Sequence, residues 1–187
     1  MKCAENFDRD ELLGVMGHYK YQTNLTKQLD TIYNDKFDQN IVNEIVLWKI
    51  NRYARLSEGA LKSLNALKNL PLGAHREARL PLEQLMDHSG IDLPMASTLL
   101  RFRNPQAFQI IDRRAYRAIF CVPYPLHSTT PIIKKIDTYF AYLEKVIKLS
   151  ISKNLDFQII DRILYQLDKD NNGTLSSAKT EKYPRRE

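Results

Sequence analysis

Asp112 stands alone as an acidic residue in a stretch that also carries Arg101, Arg103, Arg113, Arg114 and Arg117. The pattern reads as a phosphate-facing surface with a single carboxylate left inside it. A carboxylate among groups that bind phosphate works against that binding unless it has a chemical task. A helix start beside arginines would suit a carboxylate whose task is to stabilise developing positive charge or orient a water.

Upstream lies His88-Ser89-Gly90-Ile91-Asp92-Leu93, between two short apolar segments. Two helices closed by a glycine turn aim backbone N–H groups at one point, and the second helix adds the positive end of its dipole. Such a point binds a phosphate without reading sequence. Ser89, Gly90 and Ile91 are the candidate contacts.

This spacing resembles the helix-hairpin-helix DNA glycosylase superfamily, whose members include endonuclease III and the adenine-mismatch glycosylases. The family hairpin runs Leu-Pro-Gly-Val-Gly, one residue, Lys or a substitute, one residue, Ala, two residues, Leu-Leu. Gly90 matches the first hairpin glycine, and Ala96, Leu99 and Leu100 match the apolar positions. The family's catalytic aspartate lies 18 residues beyond the lysine position, and 18 residues beyond Pro94 is Asp112. The helix start Asp112-Arg113-Arg114-Ala115-Tyr116-Arg117 keeps the Asp and the later Arg of the family's Asp-x-His-x-x-Arg. Ala107-Phe108-Gln109-Ile110-Ile111 looks like the family's strand-like approach to that aspartate. The close match covers residues 88–120, and Ile45-Val46-Leu47-Trp48 resembles the helix leading to the family's base-intercalating loop.

The resemblance implies an all-α fold of two helical lobes flanking a cleft, and double-stranded DNA as partner. It implies a monofunctional hydrolase of base-excision repair. Asp112 would stabilise the oxocarbenium-like sugar as the N-glycosidic bond of a flipped base breaks. Arg113 and Arg117 would support it, and Asn51 would fill the gap in the stack, with Arg52 and Tyr53 beside it. Three departures accompany the match. Asp92 replaces the second hairpin glycine. Pro94 replaces the Schiff-base lysine and has no amine to offer. The cysteines that hold the endonuclease III iron–sulfur cluster have no counterpart, so neither cofactor nor metal is expected. A non-catalytic helix-hairpin-helix DNA-binding protein is the alternative that Asp92 and Pro94 motivate.

Asp168-Lys169-Asp170-Asn171-Asn172-Gly173 is similar to the start of an EF-hand loop, the basis of a third reading as a calcium-binding or protein-interaction domain. Lys179 sits where a bidentate glutamate belongs, and a helix stop at Asn171-Asn172-Gly173 explains the same residues. Trp48 reads as core, Lys49 as a solvated lysine, and the four histidines show no ligand spacing.

The elements that position these residues read as helices throughout, because only six glycines occur and no strand alternation persists. Helical spacing is expected over 8–33 (one or two helices), 40–56, 58–69, 81–88, 93–102, 112–120, 131–149 and 156–167. Residues 38–108 are expected to form one lobe ending in the helix-hairpin-helix (about 82–102). Residues 1–37 and 109–175 form the other, and 176–187 a polar tail. The 187 residues carry 28 Lys and Arg against 22 Asp and Glu, a net charge of +6, which favours a polyanionic partner modestly. Cys3 and Cys121 show no disulfide framework, which points to a reducing, cytoplasmic or nucleoid-associated setting. No secretory signal and no stretch of ~18 apolar residues is present, so no membrane is expected. A monomer is expected.

Overall fold

The structure, a computed structural model, describes residues 2–50 and 56–175, with the backbone alone for Ile50. The described residues are all-helical. The long helices are α1 (Arg9–Gly14), α2 (Thr23–Leu29), α3 (Gln39–Ile50), α4 (Glu58–Ala66) and α5 (Arg79–Met86). They continue with α6 (Leu93–Arg103), α7 (Arg113–Phe120), α8 (Ile132–Lys153) and α9 (Ile160–Asn171). Six short 3-10 turns link or extend them. The expected stretch 8–33 resolves into α1, α2 and two such turns, and the 58–69 stretch finishes as a 3-10 turn, Leu67–Asn69. No helix among the described residues is long and apolar enough to cross a membrane. The proposed wedge Asn51, with Arg52 and Tyr53, and the tail 176–187 lie outside the described residues.

Short polar residues set the helix starts. Asp8 accepts from the Glu11 N–H while Glu11 bonds back to the Asp8 N–H. Ser57, Asp92 and Asp112 likewise accept from N–H groups at the starts of α4, α6 and α7. Each cap satisfies a donor that the helix cannot, typically worth ~1 kcal/mol. Pro94 falls in the first turn of α6, where a missing N–H costs nothing.

One apolar cluster runs from Ala4 to Leu167 and draws on both expected lobes. α6 lies at its centre: Leu93, Met95–Arg103 are all buried, and the helix touches α3, α4, α5 and α8. α7 packs most heavily on α9.

Residues 108–112 form neither helix nor strand, yet Ala107, Phe108, Gln109 and Ile111 are fully buried. Buried backbone needs partners, and here side chains supply them. The Tyr139 and Tyr142 hydroxyls, from α8, donate to the Gln109 and Ile110 carbonyls at 2.9 Å each. The Ile111 N–H donates to Ser97 Oγ at 3.2 Å, and the Asp161 N–H donates to Gln109 Oε1 at 3.0 Å. This segment delivers Asp112, so α6, α8 and α9 jointly fix the aspartate.

The expectation for cysteine is corrected. Cys3 and Cys121 form a disulfide with Cα atoms 5.5 Å apart, across a sequence separation of 118. Spacing alone could not show this, since folding brings the N-terminus to the end of α7. Lys2 and Asn172 clasp each other beside it, backbone to side-chain amide. The inference of a reducing compartment therefore loses its support.

Candidate active site

Asp112 is the N-cap of α7. Its Oδ1 accepts from the Arg114 N–H at 2.8 Å and the Ala115 N–H at 2.7 Å. Oδ2 accepts no hydrogen bond among the described residues. The ordinary capping role and a free carboxylate oxygen thus coexist in one side chain.

That side chain borders two pockets. The first, about 160 Å³, is walled by Tyr19, Tyr21, Trp48, Phe102 and Tyr165, with Ile110, Lys49, Arg101, Arg162, Asp161 and Asp112 completing it. Trp48 anchors the aromatic wall: Nε1 donates to Thr26 Oγ1 at 2.8 Å, and its ring meets Tyr21 and Phe102 edge-on at 5.1 and 5.3 Å. The Tyr21 hydroxyl donates to the Trp48 carbonyl at 2.7 Å, which fixes the N-terminal segment over α3. Burial, with Asp161 next, raises the Tyr19 hydroxyl above its ordinary value. Burial, with Asp112 next, raises Tyr165. Both therefore stay neutral and serve as apolar faces with a polar tip. A cavity of roughly 150 Å³ holds one benzene ring, so this one suits a single planar ring with its mouth open for more.

The second pocket lies on the hairpin side of Asp112, between Asp92, Pro94, Arg113, Tyr124, His127 and Lys135. Asp92 is neutralised there: Lys135 Nζ, nearly buried, reaches its Oδ1 at 2.8 Å and also donates to the Ser128 carbonyl. The repulsion a hairpin carboxylate would offer a phosphate is answered by this lysine from α8.

The hairpin has the expected turn. Gly90 takes φ +83, a conformation that side-chain-bearing residues rarely adopt, and Ser89 and Gly90 are exposed. Ile91 differs from expectation: its side chain is buried, and its N–H is spent on the His88 carbonyl at 3.1 Å. His88 donates through Nδ1 to the Gln84 carbonyl and accepts the Ser57 N–H at Nε2, which assigns its neutral tautomer and ties the hairpin to α4.

The arginines divide sharply. Arg101 and Arg103 are 3% exposed. Arg103 donates to the carbonyls of Tyr33, Asp35 and Asn65, and Arg101 to Asp30 and the Gln158 carbonyl. Arg117 grips both oxygens of Asp168 as a fork, at 2.6 and 2.7 Å, and Arg114 adds a third contact at 3.0 Å. Arg113 alone of the five is exposed. The expected phosphate-facing row is mostly internal bracing, because a guanidinium fork satisfies buried carbonyls and carboxylates well.

Asp168 also removes the basis of the calcium loop. It is fully buried, both its oxygens are held by arginines, and residues 168–171 continue α9 instead of forming a loop. No metal-binding group of three His, Cys, Asp or Glu occurs among the described residues.

Compared with known proteins, the chain matches no family model, no curated protein and no solved structure. Of the expected residues, Asp112 lines the aromatic pocket, Arg113 lines the second pocket and Gly90 makes the hairpin turn; Tyr19, Tyr21, Tyr165 and Asp161 were not expected beside Asp112, and Trp48 was expected only as core. The pair Tyr19-x-Tyr21 and the i, i+4 pair Asp161 and Tyr165 were available signals. Nothing local tied them to Asp112, 49 or more residues away in the sequence.

Proposed function

We propose that the chain is a DNA glycosylase of the helix-hairpin-helix class, releasing a flipped base from double-stranded DNA. The observation that carries this reading is Asp112: a helix-capping carboxylate with one unengaged oxygen, on the wall of an aromatic pocket that fits a planar ring. A flipped base slides between Trp48, Tyr21 and Tyr165 and leaves its sugar at the mouth. Asp112 Oδ2 then faces the developing positive charge at C1′ and holds the attacking water. The two backbone bonds on Oδ1 keep the carboxylate oriented. Backbone N–H groups of Ser89 and Gly90 take a phosphate, and Arg113 takes another. With proline at position 94, hydrolysis without strand cleavage is the expected outcome.

A second reading, a non-catalytic DNA-binding protein, draws on Asp92 in the hairpin and on the capping task that Asp112 already performs. Duplexes carrying uracil, 8-oxoguanine, alkylated purines or mismatched adenine separate the two. Release of any one base supports the glycosylase. Salt-dependent duplex binding with no release across the panel supports the second reading, and no duplex binding removes both.

A further inference from the structure

Two side chains that line the aromatic pocket each hold a buried polar atom with no hydrogen-bond partner. Arg101, from α6, spends its two terminal nitrogens on Asp30 (2.6 Å) and the Gln158 carbonyl (2.8 Å), which leaves Nε unpartnered. Asp161, from α9, spends Oδ1 on the Arg162 N–H at 2.8 Å, which leaves Oδ2 unpartnered. The two orphaned atoms stand 3.5 Å apart and both side chains line the pocket. Each side chain is at most 4% exposed.

More than about nine in ten buried polar groups find a partner, so a neighbouring orphaned donor and acceptor call for a reason. Stability does not give one. A buried ion pair that fails to complete its hydrogen bonds is no more favourable than apolar packing. Asp30, which burial pushes up but Arg162 and Arg101 together hold below the usual carboxylate range, is shared between those two arginines. Asp161 is the second carboxylate beside these two arginines, 3.5 Å from Arg101 Nε, yet its Oδ2 makes no hydrogen bond. A donor beside an acceptor is the complement of a heterocycle edge that carries an acceptor beside a donor: a ring amide (C=O next to N–H) or an amidine edge (ring N next to NH2).

We propose that Asp161 and Arg101 read the hydrogen-bonding edge of the base, so that the pocket accepts bases with an intact edge and rejects bases alkylated there. This rests on the glycosylase reading for the identity of the ligand. Asp161 Oδ2 accepts the base N–H or NH2, after a small turn of its carboxyl about Cβ–Cγ, and Arg101 Nε donates to the neighbouring acceptor. A site built on such bonds discriminates strongly, because the wrong base leaves both groups buried and unpaired.

The test uses duplexes with one base opposite an abasic analogue, which spares the cost of unpairing: uracil against 3-methyluracil, and adenine against 1-methyladenine. Trp48 is the sole tryptophan, so its fluorescence reports occupancy of the pocket directly. Expected are quenching by the intact member of at least one pair at ten- to hundredfold lower DNA concentration than by its methylated partner. In Asp161→Asn, assayed well below its melting temperature because Arg101 and Arg162 then share Asp30 alone, that preference falls to within about threefold. Equal quenching by intact and methylated bases overturns the edge reading and leaves the base pocket standing. An Asp161→Asn protein that keeps the preference also overturns it. Duplex binding without any quenching removes the base pocket, and the edge reading with it.

Discussion

At the scale of single residues, Asp168 and Arg113 make opposite predictions from the same cluster of charge. Asp168 is fully buried and answers Arg114 and Arg117. Asp168→Asn leaves two guanidinium groups short of their counter-charge. Chemical denaturation is expected to show a loss of ~3–5 kcal/mol, the usual cost of breaking a buried pair. Arg113 is exposed and pairs with no acid among the described residues. Arg113→Gln is expected to leave melting unchanged and to reduce the salt slope of duplex binding by about one. An unchanged slope would remove Arg113 from the interface. Sequence alone treated Arg113 and Arg117 alike, since both are arginines at one helix start. Only their partners, 51 residues away in the case of Arg117, separate them.

At the scale of elements, the irregular segment 108–112 holds Asp112 in place. Its backbone is held by hydroxyls from α8 and by Ser97 of α6. Tyr142 is wholly buried, and burial raises its hydroxyl well above the ordinary tyrosine value, so it stays a donor. Tyr142→Phe strands the Ile110 carbonyl without water. Melting and denaturant titration are expected to show a loss of ~1–3 kcal/mol. Base release should fall with it, because Asp112 is two residues along. A Tyr142→Phe protein with wild-type stability would show that the segment is held by other means. The helices themselves were legible from apolar spacing and stop signals: α4, α6, α7 and α8 fall within a few residues of expectation. The N-terminal stretch was less so, because 3-10 turns break its period. The aromatic pocket was not legible, because its walls come from the N-terminal segment, α3, α6 and α9, and no local pattern links them.

At the scale of the whole molecule, the disulfide joins the segment that carries Tyr19 and Tyr21 to the helix that Asp112 begins. Closing a loop of more than 100 residues lowers the entropy of the unfolded chain by an amount worth about 4–5 kcal/mol on the loop-entropy account. The Cys3→Ser, Cys121→Ser double variant, or wild type in a dithiol reductant, is expected to melt lower. Thiol titration of the denatured, unreduced protein is expected to find no free thiol. Two free thiols, with no effect of reductant on melting, would contradict the pairing.

Asp112 is proposed to do chemistry as well as capping. Asparagine caps a helix about as well as aspartate, so Asp112→Asn separates the two tasks. The decisive measurement is single-turnover base release from the most reactive duplex in the lesion panel, by wild type and Asp112→Asn, with thermal melting of both. The account predicts release at least about a hundredfold slower in Asp112→Asn at nearly unchanged melting temperature. Equal release by the two proteins would contradict it.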